Sequence, residues 1–149
     1  MVSKIDHLGV LVEDIEANRE LFELLGLEIG AIEHVPTFDV DIAFIAVSGT
    51  LVELVEPVTD DSQLAADLES TRWQALLHHV AYRVEDIDAR LTALRESGVA
   101  LADPAPRRGA GGAKVAFLDR RAANGVRIEL VERDGGTQFP GSDHGCGRP

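Results

Sequence analysis

Residues 7–15 read His-Leu-Gly-Val-Leu-Val-Glu-Asp-Ile, and residues 79–87 repeat the pattern as His-Val-Ala-Tyr-Arg-Val-Glu-Asp-Ile. A second echo follows each copy, because the Glu-Leu-Val-Glu of residues 53–56 recurs at residues 129–132. Such repetition indicates two structural units of one design, and each unit is too short to bury a sufficient core alone. We therefore expect the two units to share a core about a pseudo-twofold axis.

Both units are predicted to have the same β-α-β-β-β order of elements. In the first unit, residues 1–57, alternating apolar residues indicate a strand at 5–12, and Asp14 is the expected N-cap of the helix that follows. The apolar face predicted for this helix consists of Ile15, Leu21, Phe22 and Leu25. The later strands of this unit are predicted at 27–33, 40–47 and 50–55.

The second unit, residues 78–133, repeats this order. Its predicted elements are a strand at 78–84, a helix from Asp86, and strands near 99–102, 113–118 and 126–132. Apolar residues at helical spacing predict a linking helix across residues 58–77, with Trp73 as a packing residue. Residues 134–149 are rich in Gly, Pro, Ser and Asp and are expected to form a disordered tail. The predicted fold class is α+β, with two tandem modules forming a cup-shaped mixed sheet.

The composition limits the possible functions. The chain has 149 residues, 45% of them hydrophobic, and a formal net charge of −12. This charge argues against nonspecific binding to nucleic acid, whose phosphates would be repelled. No apolar run reaches the roughly 18 residues of a membrane-spanning helix and no signal peptide is evident, so a cytoplasmic location is expected. The lone Cys146 cannot form an internal disulfide.

Basic residues concentrate in one segment of this acidic chain. Between residues 107 and 121, Asp119 is the only acid, and the five basic residues are Arg107, Arg108, Lys114, Arg120 and Arg121. Two interpretations are open, namely a site for an anionic ligand and a solvated loop. Gly111 and Gly112 in this segment would let backbone N–H groups approach a phosphate or a carboxylate.

The repeats also pair residues that bind metals. Each unit carries one histidine near its start and one glutamate near its end, and the four are His7, Glu53, His79 and Glu129. Side chains alternate along a strand, so the histidine and glutamate of one unit can share a sheet face, and the pseudo-twofold places the other pair opposite. Two imidazoles and two carboxylates suit a divalent Co, Mn, Ni, Zn or Fe ion and leave positions open for a substrate.

Several motifs resemble those of one superfamily. They cover residues 5–10 (Ile-Asp-His-Leu-Gly-Val), 49–57, 61–62, 78–81 (His-His-Val-Ala), 106–118 and 125–132. Through them the chain resembles the vicinal oxygen chelate superfamily, which includes glyoxalases, bleomycin-resistance proteins and dioxygenases, and within it the methylmalonyl-CoA epimerases. The Arg-Arg-Gly-Ala-Gly-Gly segment at 107–112 is the motif more particular to epimerases.

The resemblance implies a reaction and a set of roles. The family reaction inverts the carbon between a thioester and a carboxylate, removing a proton on one face and returning one on the other through a metal-stabilised enolate. The family's metal positions are matched by His7, Glu53, His79 and Glu129, the last of which is also expected to be the base. The residues expected to bind the acyl-CoA are Arg107, Arg108, Gly111, Gly112 and Lys114. A homodimer is expected by analogy, with neither nucleic acid nor membrane as a partner.

The chain departs from the family pattern at three places. Glu53 stands where some members have Gln. Ile42 stands where some members have a second glutamate, and Asp41 replaces it only if a bulge or a register slip intervenes. Residues 119–121 (Asp-Arg-Arg) replace the usual His-Pro-Lys, which leaves the acyl group of the substrate open.

Three alternative functions are considered. A glyoxalase I-type lactoylglutathione lyase uses the same four ligands, although residues 122–125 (Ala-Ala-Asn-Gly) stand where such enzymes have Asp-Pro-Asp-Gly. A ring-cleaving dioxygenase uses two histidines and one carboxylate, which would make Glu53 superfluous. A metal-free ligand-binding member of the superfamily has no need of the four residues.

Overall fold

The computed structural model describes residues 1–134. The predicted disordered tail, apart from its first residue, and Cys146 lie outside these residues. The first unit contains β1 (Val2–Val12), α1 (Arg19–Leu24), β2 (Ile32–Val35), β3 (Val40–Val47) and β4 (Thr50–Pro57). After α2 (Gln63–Glu69), the second unit contains β5 (Ala75–Val84), α3 (Ile87–Glu96), β6 (Arg107–Arg108), β7 (Lys114–Phe117) and β8 (Ile128–Glu132).

All eight strands form one sheet, in the order β2-β3-β4-β1-β5-β8-β7-β6. The first strands of the two units, β1 and β5, pair antiparallel at its centre. Each of them pairs parallel with the last strand of its own unit, β1 with β4 and β5 with β8. The two halves are therefore related by a pseudo-twofold axis at the β1/β5 pair. The predicted α+β class with a mixed sheet is confirmed.

The two units begin their helical segments in matched ways. The Asp14 carboxylate accepts hydrogen bonds from the backbone N–H of Glu16 and Ala17, and Asp86 caps α3 by accepting one from Ala89. One residue after each aspartate, a glutamate from the last strand of the same unit accepts the backbone N–H. Glu56 binds Ile15 at 2.9 Å and Glu132 binds Ile87 at 2.8 Å. These contacts satisfy N–H groups that the first turn of a helix cannot pair internally.

Apolar side chains fill both faces of the sheet. The helix of each unit covers the outer face, where one cluster surrounds the buried Ile15 and a second surrounds Ile87 and Leu91. On the inner face, side chains of β1, β3 and β4 form a further cluster that includes Leu11, Ile42, Phe44, Leu51 and Val55. The period-two alternation of the strands separates these faces and leaves the concave one for the candidate site.

Several local predictions were wrong. The linking helix is confined to α2, because Leu76 and Leu77 belong to β5, where their backbone pairs with β1. Trp73 is 68% exposed and does not pack inside. Leu21 and Leu25 are also exposed, because the helical segment after Asp14 is short and buries only one side.

Two predicted strands differ from the observed ones. β2 begins only at Ile32 instead of residue 27. The strand predicted near 99–102 is reduced to a single bridge between Leu101 and Leu118. Within residues 1–134, no helix is both long and apolar enough to cross a bilayer.

Candidate active site

The register of the central strands places the four predicted ligands on one face. In the β1/β5 pair, His79 lies opposite Gly9 and His7 lies opposite Ala81. In the parallel pairs, Glu53 is the partner of Gly9 and Glu129 is the partner of Ala81. Each glutamate of one unit thus sits beside a small residue, and the histidine of the other unit lies beyond that residue.

Gly9 makes the space that His79 occupies. A methyl group at Gly9 would lie 2.0 Å from Cε1 of the His79 ring, far inside van der Waals contact. The corresponding residue of the second unit is Ala81, which is completely buried. The histidines can therefore turn inward only because the residue facing each of them is small.

The four side chains meet at short distances. Nε2 of His7 lies 3.1 Å from Nε2 of His79, 3.4 Å from Oε2 of Glu53 and 3.7 Å from Oε2 of Glu129. Nε2 of His79 lies 3.1 Å from the same Glu129 oxygen. One ligand atom each from His7, His79 and Glu129 falls within 4.8 Å of the others, an arrangement that could hold a metal ion.

Burial makes the charges in this cluster strongly interdependent. Burial alone would lower the pKa of His7, but the carboxylates of Glu53, Asp6 and Glu129 outweigh it and raise this pKa to about 10. Burial would raise the pKa of Glu129, but hydrogen bonds from both histidines lower it to about 2. Burial raises the pKa of Glu53, and His7 offsets this only in part. The cluster therefore attracts positive charge into the space between its side chains.

Asp6 holds His7 from behind, a role that the sequence analysis missed. The fully buried Asp6 carboxylate lies 2.8 Å from Nδ1 of His7 and is also bound by Arg83 and Arg133. Burial would raise the pKa of Asp6, but the hydrogen bonds from His7 and Arg133 lower it. Because the ionised Asp6 accepts the Nδ1 proton, it is Nε2 that faces the cluster, and loss of the Nε2 proton would give His7 a lone pair there for a metal.

His79 is supported by a different group. Nδ1 of His78 lies 2.9 Å from Nδ1 of His79, and Nε2 of His78 lies 3.5 Å from an Asp67 oxygen that also accepts from Arg127 at 2.9 Å. Burial, together with the neighbouring His79 and Arg127, lowers the pKa of His78 to about 4. These contacts place His78 outside the four-residue cluster, where it binds the predicted ligand His79.

The donor set fits a divalent cation. His7, His79 and Glu129 form one group of potential ligands, and Glu53 joins it through His7, whose Nε2 lies 3.4 Å from Oε2 of Glu53. Oε1 of Glu53 is buried without a hydrogen-bond partner among the described residues. A buried carboxylate oxygen without a hydrogen bond is costly, and a cation would remove that cost. A proton and a divalent ion would compete for this space, as metal ligands generally require deprotonation.

The cluster lines a cavity of about 470 Å³, a size typical of small-molecule sites. Among the residues predicted to bind acyl-CoA, Arg107 lines this cavity, where its guanidinium lies 4.3 Å from the centroid of the Phe38 ring. Three others, Arg108, Gly112 and Lys114, line a second depression that Arg107 also borders. Gly111 lines neither, and its N–H donates to the Glu33 carboxylate at 2.8 Å.

The cavity contains cations that the sequence analysis did not select. Arg127 and Arg133 both line it. Arg133 directly follows the Glu-Leu-Val-Glu of residues 129–132, and only the structure reveals that it is buried. Arg120, a member of the basic segment, lines the cavity as well. A basic residue next to a repeated acidic motif was the sole sequence signal for Arg133.

Ile42 faces the cavity and Asp41 does not. β3 pairs with β4 in unbroken register from Val40 to Val47, so no bulge turns Asp41 inward. The Asp41 carboxylate instead lies 2.9 Å from Nδ1 of His34 on the exposed side of β3. The alternative in which Asp41 replaces a second glutamate is therefore wrong for this structure, and the cavity wall at this place is apolar.

Comparisons with known proteins agree with this geometry. Residues 6–117 match the model of the Glyoxalase/Bleomycin resistance protein/Dioxygenase superfamily, and the chain belongs to that superfamily. Among its relatives, the ethylmalonyl-CoA/methylmalonyl-CoA epimerase of Cereibacter sphaeroides is 35% identical, over 89% of this chain and 99% of the relative. The uncharacterized protein YqjC of Bacillus subtilis is 38% identical, over 90% and 95%.

Solved structures extend the similarity to three dimensions. A methylmalonyl-CoA epimerase from Mycobacterium tuberculosis superposes with a TM-score of 0.82 at 31% identity, covering 89% of each chain. A methylmalonyl-CoA epimerase in complex with methylmalonyl-CoA and NH4+ gives a TM-score of 0.81 at 28% identity, covering 94% of this chain and all of that one. These similarities support an enzyme of the epimerase class, an isomerase.

Proposed function

We propose that the protein is a metal-dependent epimerase that inverts the α-carbon of methylmalonyl-CoA or a similar 2-substituted acyl-CoA. The observation that carries this proposal is that two histidines and two glutamates, one pair from each unit, line one cavity of substrate size, where each glutamate lies within 3.4 Å of a histidine. The similarity to epimerases along nearly the whole chain supports it.

The residues proposed to hold the metal are His7, Glu53, His79 and Glu129. Co, Mn, Ni, Zn and Fe ions all accept imidazole and carboxylate ligands, and four protein ligands leave coordination positions for substrate oxygens. Bound there, the ion would supply Lewis acidity that stabilises the negative charge of the enolate formed when the α-proton leaves.

Glu129 is proposed to remove the α-proton as well. Its carboxylate is ionised because both histidines lower its pKa, and it lies in the cavity wall next to the proposed ligands. The apolar side chain of Ile42 faces the same cavity, so β3 supplies no opposing carboxylate. The removal of the proton by Glu129 is therefore the half of the epimerisation that this chain's residues define.

The basic segment is proposed to bind the CoA portion. Arg107 borders both the main cavity and the second depression, which contains Arg108, Gly112 and Lys114. A CoA ester with its acyl group in the cavity and its phosphate-bearing portion over the depression would contact Arg107 between the two. Neutralising Arg107 and Arg108 should therefore raise KM for a CoA ester and leave kcat less affected.

Two further expectations are proposals based on resemblance, namely a homodimer and a cytoplasmic location. Apolar side chains exposed on α1, Leu21 and Leu24, together with the adjacent Leu25, offer surface for self-association. Light scattering on the purified protein should give twice the chain mass.

Hydrogen exchange at the α-carbon tests the proposed reaction. Cobalt-loaded protein is incubated with methylmalonyl-CoA in deuterated water, and loss of the α-hydrogen is followed by proton NMR. We expect exchange in the wild type, none after chelation, and a loss of about 10²- to 10⁴-fold in Glu129→Ala. Metal-loaded protein that leaves the α-hydrogen in place would contradict the epimerase, and turnover of the glutathione–methylglyoxal adduct would then identify the lyase.

A further inference from the structure

Arg133 connects three parts of the molecule at the back of the candidate metal site. It follows β8 directly, and its side chain is only 4% exposed. Its Nε and Nη2 donate to the two oxygens of Asp6 at 3.0 and 2.8 Å. Its Nη2 lies 3.7 Å from Oε1 of Glu53, and its Nη1 donates to the carbonyl of Ala110 at 3.2 Å.

The second unit alone provides this arginine. The corresponding position of the first unit is Pro57, which has neither a charge nor a backbone N–H. Arg133 therefore does not arise from the repeat, although it contacts two acids of the first unit, Asp6 and Glu53.

Charge explains why such a residue is needed. Asp6, Glu53 and Glu129 are three carboxylates that are each at most 5% exposed. The arginines that contact them are Arg83, which binds Asp6, and Arg133, which reaches both Asp6 and Glu53. An uncompensated buried carboxylate is strongly unfavourable, and the removal of Arg133 would take away one of the two arginines at Asp6 together with the arginine next to Glu53.

Geometry adds a second function. Arg133 grips both oxygens of Asp6, so the Asp6 carboxylate cannot rotate, and His7 keeps the ring plane and tautomer that the contact with Asp6 imposes. The same guanidinium lies next to Oε1 of Glu53, while Oε2 of Glu53 faces His7. A planar, forked guanidinium can make these contacts together, whereas a lysine ammonium cannot.

We propose that Arg133 is a positioning residue of the metal site, which sets the orientation of His7 through Asp6 and that of Glu53 directly. The inference rests on the metal site of the proposed function. In this inference, Arg133 offsets the negative charges of Asp6 and Glu53 and fixes the orientation of His7 and Glu53. Metal affinity and the ligand field of a bound metal should therefore both depend on Arg133.

Cobalt binding tests this role without relying on turnover. Arg133→Gln and Arg133→Lys are titrated with Co²⁺ by calorimetry, and the visible absorption of the cobalt complex is recorded for each. We expect Arg133→Gln to bind cobalt about 10- to 100-fold more weakly, with a shifted absorption band. Arg133→Lys should recover part of the affinity because lysine restores the positive charge. It should not recover the wild-type absorption band, because an ammonium group lacks the forked geometry of the guanidinium.

Arg83→Gln is the matched control. It removes the other guanidinium from Asp6, at a side chain that is 27% exposed and therefore better solvated. A merely structural effect of losing a charge beside Asp6 would weaken cobalt binding equally in both variants and would overturn the proposal. We expect the loss in Arg83→Gln to be clearly smaller, with thermal melts in chelator confirming that all variants fold.

A double-mutant cycle with Glu53→Gln tests the charge balance. Glutamine removes the negative charge that Arg133 offsets, so the fold-loss in cobalt affinity caused by Arg133→Gln should be smaller in the Glu53→Gln background. Equal losses in both backgrounds would contradict the link to Glu53. Wild-type cobalt affinity and absorption in a folded Arg133→Gln protein would overturn the whole inference, and the exchange of wild-type enzyme with methylmalonyl-CoA separately decides the proposed function.

Discussion

The two halves of the sheet present the same pair of proposed ligands, one histidine and one glutamate, but support the histidines with different chemistry. At matched positions of the repeat, Asp6 precedes His7 and His78 precedes His79. His7 rests on an ionised, fully buried carboxylate that two arginines bind. His79 rests on an imidazole whose pKa is lowered to about 4 by burial and by His79 and Arg127, so that it stays neutral. Pseudo-symmetry therefore fixes where the two histidines point, and different residues bind their Nδ1 atoms from behind.

The difference also has a mechanical side. Behind His7, the contacts run into β5 and the end of β8 through Arg83 and Arg133. Behind His79, they run to Asp67 on the short helix α2 and to Arg127 before β8. We conclude that the first half anchors its histidine in the sheet, whereas the second half anchors its histidine partly in the segment that links the units.

The largest effect should come from replacing Asp6. Asp6→Asn leaves the two bound arginines without their anion, and breaking a buried ion pair in this way costs about 3 to 5 kcal/mol. The matched change, His78→Asn, removes a neutral hydrogen-bond partner and should cost about 1 kcal/mol. Urea denaturation of both metal-free variants would measure the contrast, and equal losses would refute the difference between the halves.

The Asp6 contribution also has a defined pH dependence. Because the pKa of Asp6 is lowered in the folded protein, this carboxylate stabilises the fold above its usual unfolded value of about 3.9. That contribution is lost as the pH falls below this value toward the lowered folded-state pKa. The wild type should consequently lose more stability than Asp6→Asn between about pH 5 and pH 2, as urea midpoints would reveal.

A smaller effect is expected where each histidine faces a small residue. Gly9→Ala places a methyl group 2.0 Å from the His79 ring, so the ring must move, with a cost of about 1 to 3 kcal/mol and a large loss of cobalt affinity. Ala81→Gly, the matched change opposite His7, should cost about 0.5 to 1 kcal/mol and leave cobalt binding intact. Calorimetric titration of both variants checks this, and unchanged binding in Gly9→Ala would contradict the observed packing.

The smallest effect should appear where the halves are most alike. Glu56→Ala and Glu132→Ala each remove the acceptor of one N–H at the start of a helical segment, so each should cost about 1 kcal/mol. Thermal melts of the two variants should therefore agree closely. A difference of several degrees between them would mean that the symmetry of the halves does not extend to their helix starts.

The sequence predicts this site well where it depends on periodicity and repetition. Strand alternation places His7 and Glu53 on one face, and the repeat then implies His79 and Glu129, which the structure brings within contact distance. Arg133 and Asp6 lacked such a signal, because a single buried charge in the sequence looks the same as a solvated one. Their partners lie far apart along the chain, so only the folded sheet brings them together.

The errors have equally local causes. Leu76 fits both a helical spacing and an alternating strand, and pairing with β1 decides for the strand. The grouping of Arg108 and Lys114 with Arg107 is not such an error, and their role in CoA binding stays a prediction, although of the three only Arg107 also lines the main cavity. When a short apolar run fits both a helix and a strand, its pairing with another strand decides between them, and the amino-acid composition does not encode that pairing.

The central β1/β5 seam has a consequence for the order of events during folding. β1 pairs with a strand that begins more than sixty residues later, and β8, which carries Glu129, is the last strand of the described chain. Pairing across such a separation requires the closure of a long loop, and the entropy lost in that closure precedes any stabilising contact, which slows folding. During synthesis, the cluster of His7, Glu53, His79 and Glu129 could close only after β8 had left the ribosome. Divalent ions would thus stabilise the finished sheet and not its precursors.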